Sequence, residues 1–207
     1  TIYQQGTVYG PDLRKPGVKP LEAERGHNVE FGLKYGSGNT ELSATAYRNR
    51  VNQLIIFGAA GSCQSAFGCY QNVAAARLQG LSLAGGTKLA NVNLRATLDL
   101  QKPTNQANGL LLARRAKRLG TINADTTLGA WTLGAAVQAS GPRFDNAANT
   151  RKLGGYGLVN LFAQYKLDRS WQLEARANNV FDKDYTLANG YNTLGANVFV
   201  GVRYLSR

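Results

Sequence analysis

Apolar and polar residues alternate along most of this chain, and this alternation restricts the fold more than any other feature. In the stretch WQLEARAN the apolar residues are Trp171, Leu173, Ala175 and Ala177, and the polar ones are Gln172, Glu174, Arg176 and Asn178. Successive side chains of a β-strand point to opposite faces, so a strand with one dry and one wet face explains the pattern. The same period recurs in VEFGLKY (29–35), NVNLRATLDLQ (91–101) and WTLGAAVQA (131–139). The alternation predicts an all-β protein.

The predicted strands are joined by connections that are short and long in turn. We predict about nine strands, at 27–35, 40–51, 70–88, 91–101, 114–128, 131–140, 156–167, 171–180 and 196–204. The short connections fall near 36–39, 89–91, 129–130 and 168–170, and the long ones near 52–69, 102–113, 141–155 and 181–194. This alternation is typical of an antiparallel up-and-down meander in an outer-membrane β-barrel, with tight periplasmic turns and long outer loops.

Five aromatic residues share the apolar face and lie beside a short turn or the chain end: Tyr35, Trp131, Tyr165, Trp171 and Tyr204. Aromatic residues at one level of one face are typical of the girdle at a membrane interface. A soluble β-sandwich, the alternative, places its tryptophans in mid-strand within the core. We therefore expect the apolar face to meet lipid, and Gln172, Glu174 and Arg176 to line a wet interior.

Charge and length limit the other classes of protein. The chain of 207 residues carries 24 Lys+Arg against 12 Asp+Glu, a net charge of +12. No recognised nucleic-acid motif accompanies this charge, so we expect no nucleic-acid partner, and the alternatives are a solvated surface or one that meets anionic lipid headgroups. No segment offers the roughly 20 apolar residues of a membrane-spanning helix. The chain begins at Thr1 and contains no methionine, so we expect a piece cut or processed from something longer.

The two cysteines, Cys63 and Cys69, lie in GSCQSAFGCYQ. Their spacing is not that of a zinc site, and no histidine lies near them. A small loop closed by a disulfide is the interpretation we favour, and it implies an oxidising compartment. Two free thiols are the alternative.

An odd number of strands indicates a larger assembly. Bacterial single-chain barrels of this kind have even strand numbers, and a sheet edge needs a partner. We therefore expect these strands to be the closing part of a larger barrel.

Motifs at both ends of the chain are similar to those of one family. The tail ANNVFDKDY, with Asn179, Phe181, Asp182 and Tyr185, resembles the Asn-Leu-Phe-Asp-Lys-x-Tyr motif before the last strand of TonB-dependent outer-membrane receptors. The opening VYGPDLRKPGVKPLEAERGHNVEFG and the stretch NVAAARLQGLSL also resemble patterns of that family. Within the family, LLARRAKR (111–118) and GPRFD (141–145) with KLGGYGLVNL most resemble the receptors for cobalamin. The resemblance covers essentially the whole chain, although the family usually ends in Phe and this chain ends in Arg207.

The resemblance implies a transmembrane β-barrel of 22 strands with a plugged lumen, of which this chain, residues 1–207, supplies roughly the last nine. The plug domain and the TonB box, which engages the TonB complex, would lie upstream. The implied function is active uptake of a scarce large ligand, cobalamin, across the bacterial outer membrane. Lipid and lipopolysaccharide would surround the barrel, and no covalent chemistry, cofactor or metal site is implied.

Two ligand-binding positions are implied by the resemblance. Arg114 matches the first arginine of the double-arginine motif, and Tyr191 matches the second tyrosine of the last outer loop. Arginine can donate to the amide carbonyls and phosphodiester of cobalamin, and a tyrosine ring can lie against a flat ligand. The alternatives are a rim charge facing lipopolysaccharide for Arg114 and loop packing for Tyr191. Strand parity would send Arg114 outward with Gly120 and Ile122, unless the strand breaks above the membrane.

Other functions remain open at this point. The same architecture could take up a ferric siderophore or haem, although haem recognition in the family generally uses histidine and the only histidine, His27, lies near a strand end beside a loop. An outer-membrane protease or lipase needs a nucleophile with a positioned base, and no spacing of His27 and the serines supports one. A passive porin fits the alternation but lacks the tail motif.

Overall fold

The computed structural model describes residues 9–205, and most of them lie in β-strands. The strands are β1 (Arg25–Ser37), β2 (Thr40–Gly58), β3 (Cys69–Leu89), β4 (Val92–Asn105), β5 (Arg118–Leu128), β6 (Trp131–Ser140), β7 (Arg143–Phe144), β8 (Lys152–Leu153), β9 (Tyr156–Lys166), β10 (Trp171–Asn178) and β11 (Asn197–Tyr204). One short 3-10 turn, Ser62–Gln64, lies between β2 and β3. In this part of the chain no helix is long and apolar enough to cross a membrane.

Nine of these strands form one sheet in which each strand lies beside the next along the chain. The order is β1-β2-β3-β4-β5-β6-β9-β10-β11, and β7 with β8 forms a separate two-stranded hairpin. The register pairs Leu128 with Trp131 across one short turn and Trp171 with Tyr204 at the end of the last pair. The all-β antiparallel meander of nine strands predicted from the alternation is confirmed.

The short connections have local causes. Gly38, Ala90 and Gly129 adopt positive φ values of 55°, 51° and 59° at three of the hairpins. Tight hairpins need such a conformation because their turns must match the right-handed twist of the strands. Between β9 and β10 the carboxylate of Asp168 accepts hydrogen bonds from the backbone N–H groups of Ser170 and Trp171, at 2.7 and 2.9 Å. This is the local turn that aspartate favours.

Three strand boundaries differ from the prediction by four residues or more. Strand β2 continues to Gly58 and β4 to Asn105, whereas β5 begins at Arg118 rather than at residue 114. Strands β2 and β4 continue beyond the residues in which apolar and polar side chains alternate, because hydrogen bonding between backbones does not require an apolar face. The late start of β5 places Arg114 outside the sheet.

The described residues divide into two compact units. The first unit contains the described residues up to Val29 together with Tyr47–Gln79 and Lys102–Leu112. The second contains Glu30–Ala46, Gly80–Gln101 and the described residues from Ala113 onward.

The apolar face of the sheet in the second unit is exposed. In β1 the side chains of Phe31, Leu33 and Tyr35 are 62–67% exposed, and Val198, Val200 and Val202 of β11 are exposed to a similar extent. A large apolar side chain left in water forgoes about 1.5–3 kcal/mol of burial free energy. A whole face of such residues indicates a surface that another apolar medium covers.

The predicted aromatic residues lie on this face beside the short turns. The rings of Trp131 and Tyr165 are 4.7 Å apart between centroids, and those of Trp171 and Tyr204 are 4.9 Å apart. Both pairs are direct cross-strand neighbours in the register. Such cross-strand aromatic pairs stabilise neighbouring strands. They also place amphipathic rings side by side, as in the aromatic belt at a membrane interface.

The opposite face carries polar cross-strand contacts. Asn93 donates to Asp125 at 2.7 Å, and the hydroxyl groups of Thr97 and Thr121 are 2.8 Å apart. Glu174, predicted to face a wet interior, is on this face but buried, because an ion pair with Arg203 at 2.8 Å and a longer one with Arg176 at 3.8 Å cover it. Hydrogen bonds and ion pairs between side chains of neighbouring strands therefore stabilise the polar face.

Aromatic side chains interrupt the polar face at two places. Phe162 lies directly over Gly134 on the neighbouring strand, and a Cβ atom at Gly134 would overlap the Phe162 ring. Phe199 lies close to Gly201 of its own strand, two residues further along, and leaves little space for a Cβ atom there. Glycine is required opposite Phe162 because the ring occupies the space of the missing side chain.

Candidate ligand-binding site

Arg114 lies in the connection between β4 and β5, four residues before the strand begins. Its backbone adopts a positive φ of 59°, and its N–H donates to the carbonyl of Phe144 at 2.6 Å. The prediction that the strand starts at residue 114 is wrong, and strand parity therefore does not direct this side chain. The loop backbone directs it instead.

Asp145, just after β7, binds Arg114 and the connection that follows β10. The Arg114 Nε atom donates to Asp145 Oδ1 at 2.9 Å, and the backbone N–H of Asn189 donates to the same oxygen at 3.2 Å. The Asp145 side chain is 8% exposed and that of Arg114 is 55% exposed. One carboxylate therefore joins three connections that are distant in sequence.

The electrostatics keep Asp145 ionised. Burial by itself raises the pKa of Asp145, but the N–H of Asn189 and the guanidinium of Arg114 outweigh it and hold the pKa below the ordinary value of 3.8. Donors to the charged form favour that form. The carboxylate therefore carries its charge throughout the neutral range.

Arg143 provides a second link to the same connection. Only 5% of this residue is exposed, and its Nη2 atom donates to the carbonyl of Thr186 at 2.8 Å. Its guanidinium carbon lies 5.4 Å from the centroid of the Tyr156 ring, which in turn lies 4.7 Å from the Tyr185 ring. A buried cation is stabilised by such carbonyl and aromatic partners.

These contacts define a loop cluster. Its members are Arg114, Arg143, Asp145, Tyr156, Tyr185, Thr186 and Asn189. All of them belong to the second unit.

The tail motif builds the start of the last connection. Asn179 is buried and has a φ of 49°; its side chain accepts from the Lys183 N–H and donates to the Lys183 carbonyl, at 2.9 and 3.0 Å. Asp182, also with a φ of 49°, accepts from the N–H of Ala196 at 2.7 Å. Asparagine and aspartate tolerate positive φ and bond to nearby backbone, so these residues close the connection at both ends.

Tyr191 lies in this connection, two residues after Asn189. It is 72% exposed, and its backbone N–H donates to the Ala188 carbonyl at 3.2 Å. The structure thus presents the Tyr191 ring to solvent on a segment that Asp145 links to Arg114. The role of both residues as ligand contacts stays a prediction.

Arg143 and Asp145 were not among the residues that the sequence indicated as part of a site. The available signal is the stretch GPRFD, in which an arginine and an aspartate flank one residue. Cys63 and Cys69, for which the sequence favoured a disulfide over two free thiols, are joined by a disulfide in the first unit, with Cα atoms 6.1 Å apart. Within residues 9–205 no group of three or more His, Cys, Asp or Glu side chains could hold a metal ion.

An antiparallel meander with an exposed apolar face is the strand pattern of a transmembrane β-barrel. A family model described as "TonB dependent receptor-like, beta-barrel" matches residues 2–180. The chain belongs to the TonB-dependent receptor family, and it is a bacterial outer-membrane protein.

The relatives in sequence that we describe are both named as vitamin B12 transporters. The chain is 28% identical over 198 residues to the vitamin B12 transporter BtuB of Photobacterium profundum, covering 95% of this chain and 32% of the relative. It is 27% identical over 209 residues to the vitamin B12 transporter BtuB of Vibrio cholerae, covering 98% and 32%. The chain thus spans about a third of the length of these relatives.

Solved structures share the fold. The copper transporter OprC superposes with a TM-score of 0.75 at 22% identity, over 89% of this chain and 32% of OprC. The FrpB iron transporter of Neisseria meningitidis gives 0.68 at 19% identity, with the same coverage. Their cargoes differ, so this similarity concerns the architecture alone.

Proposed function

We propose that this chain is the closing part of the barrel of a TonB-dependent receptor that takes up cobalamin. The observation that carries the proposal is the similarity to vitamin B12 transporters over nearly the whole chain. Outer loops would capture the ligand, and energy relayed through TonB would move it past a plug encoded elsewhere in the same receptor.

The exposed apolar face of the second unit would meet lipid. An apolar depression of about 910 Å³ lies on it, lined by residues such as Leu33, Leu42, Ile122 and Val137. Ligand-binding sites usually contain a few polar groups that orient the ligand. This depression lies on the apolar face of the sheet, so we do not propose it as the site that binds the transported ligand. Acyl chains of the membrane are its proposed occupant, with lipopolysaccharide on the outer side.

Arg114 and Tyr191 would contact the ligand. Asp145 uses the Nε–H of Arg114, so the Nη1 and Nη2 groups lie outside this bond and can donate to a ligand carbonyl. The exposed ring of Tyr191 offers a flat amphipathic surface.

The charge of the Arg114–Asp145 pair favours a neutral ligand. Asp145 compensates the charge of Arg114 across 2.9 Å, so the pair attracts a multiply charged anion less than a free arginine does. A ligand rich in amide carbonyls, such as cobalamin, suits a compensated arginine better than an anionic iron chelate does. A ferric siderophore or haem receptor is the alternative that the experiment must separate.

The test is equilibrium binding of labelled cyanocobalamin to outer membranes that carry the full-length receptor. Competition with unlabelled cyanocobalamin, a ferric siderophore and haem distinguishes the cargoes. The proposal predicts saturable binding that only cyanocobalamin displaces. Displacement by an iron chelate, or no binding at all, would contradict it.

A further inference from the structure

Another pocket lies in the first unit, and none of the residues that the proposed function uses lines it. It encloses about 560 Å³ between the segment before β1, the end of β2 and the start of β3. We call it the amide pocket, after the side chains in its wall: Gln53, Gln64, Gln71 and Asn72, with Tyr70 and Glu22. Its volume suits a small molecule or one arm of a larger ligand.

Asn72 fixes the wall of this pocket. Its side chain accepts from the Glu22 N–H at 2.8 Å and donates to the carbonyls of Glu22 and Gln53, at 3.0 and 2.6 Å. The Gln53 amide also donates to the Glu22 carboxylate at 2.8 Å. Three segments are therefore held in one arrangement before any ligand binds, and a preformed wall lowers the entropic cost of binding.

The disulfide closes the other side. Cys63 lines the pocket, and its partner Cys69 is buried. Gln64, next to Cys63, donates from its Nε2 atom to the Pro16 carbonyl at 2.9 Å. The bridge restricts the connection between β2 and β3 and so keeps Gln64 at the wall.

The chemistry of the lining selects the ligand. Lys19 and Glu22 are exposed and opposite in charge, whereas Gln53, Gln71 and Asn72 are half-buried. Gln53 and Gln64 use their Nε2 atoms within the protein, which leaves their Oε1 atoms outside these bonds and able to accept. A wall of amides without net charge pairs with neutral groups that both donate and accept hydrogen bonds.

We infer that the amide pocket binds the primary amide groups of a neutral ligand, and that the Cys63–Cys69 bridge holds it in shape. This inference rests on the proposed function, because cyanocobalamin is the amide-rich ligand it names. It adds a contact region to that function which Arg114 and Tyr191 do not supply.

The test is equilibrium binding of labelled cyanocobalamin to outer membranes that carry the full-length receptor, with wild type, Gln71→Met and a matched control. Gln106→Met is the control, because Gln106 is an exposed glutamine of the same unit whose side chain bonds to Thr104. We expect the Kd of Gln71→Met to rise about 3- to 10-fold, as for loss of one or two hydrogen bonds, and that of the control to stay at the wild-type value.

The disulfide gives an independent readout. Dithiothreitol, which reduces the bridge, is expected to raise the Kd of the wild type. The Cys63→Ser/Cys69→Ser double variant is expected to bind more weakly than the wild type, with a Kd that dithiothreitol does not change. If the wild type binds while Gln71→Met and the double variant keep its Kd, the inference is overturned and the proposed function stands. If the wild type does not bind cyanocobalamin, the proposed function fails and the inference fails with it.

Discussion

Replacing Asp145 tests whether one carboxylate holds the loop cluster together. Its Oδ1 atom accepts from Arg114 Nε at 2.9 Å and from the Asn189 N–H at 3.2 Å, and its side chain is almost fully covered. Asp145→Ala removes both acceptor contacts. Asp145→Asn keeps an acceptor oxygen of the same shape and removes only the charge, so it is the matched control.

The magnitude follows from these contacts. A hydrogen bond to a charged group contributes about 1.5–3 kcal/mol when it is buried. Arg114 is more than half exposed, and exposed ion pairs contribute less than about 1 kcal/mol, so we take about 1–2 kcal/mol for both contacts together. Because about 1.4 kcal/mol is a factor of ten, Asp145→Ala should make local opening about 5- to 30-fold more frequent.

Amide hydrogen exchange of the full-length receptor in detergent measures this opening. Protection of the peptides that contain Asn189 and Arg114 is expected to fall by that factor in Asp145→Ala and by less in Asp145→Asn. Peptides that lie within the strands β9, β10 and β11 themselves should exchange as in the wild type. Unchanged protection around Asn189 in Asp145→Ala would refute the role of the carboxylate.

Four further outcomes are expected. Because the pKa of Asp145 is lowered, its stabilisation of the loop cluster is complete above the ordinary pKa of 3.8 and is lost as pH falls through the lower folded pKa. Protease cleavage of the connection between β10 and β11 should therefore increase only under strong acid. Arg143→Ala should weaken cyanocobalamin binding more than Arg143→Lys, which keeps a cation, and equal Kd values would argue against the buried cation as a support. Asn179→Ala loses two side-chain bonds at a positive φ and should cost about 2–4 kcal/mol of local stability, read as faster proteolysis of the same connection. Gly134→Ala should destabilise the protein by about 1–3 kcal/mol, because the new methyl group overpacks against Phe162. The temperature at which the folded band disappears on a gel should therefore fall, and an unchanged temperature would contradict the clash.

Much of the fold was predictable because the signal is local. The alternation around Trp171, Leu173 and Glu174 assigns each side chain to a face, and the structure confirms the apolar and polar faces. The ends of β2 and β4 were not predictable, because their last residues pair through the backbone without an alternating pattern. The predicted start of β5 was wrong because residues 114–117, Arg-Arg-Ala-Lys, carry no alternating pattern and lie in a loop.

The loop cluster was less predictable, because it depends on contacts between distant segments. Nothing local to Asp145 indicates that Arg114 and Asn189 donate to it, 31 and 44 residues away. The burial of Glu174 between two arginines is of the same kind, since Arg203 comes from another strand. The turn residues Asn179 and Asp182, in contrast, carry a local signal, because asparagine and aspartate favour the conformations they adopt.

The most direct measurement of the central claim is accumulation of labelled cyanocobalamin in cells whose only cobalamin receptor is the full-length protein that contains this chain. Two strains are compared, one with TonB and one without it. The account predicts surface binding in both strains and accumulation inside the cell only with TonB. Equal accumulation in the two strains, or no binding in either, would contradict it.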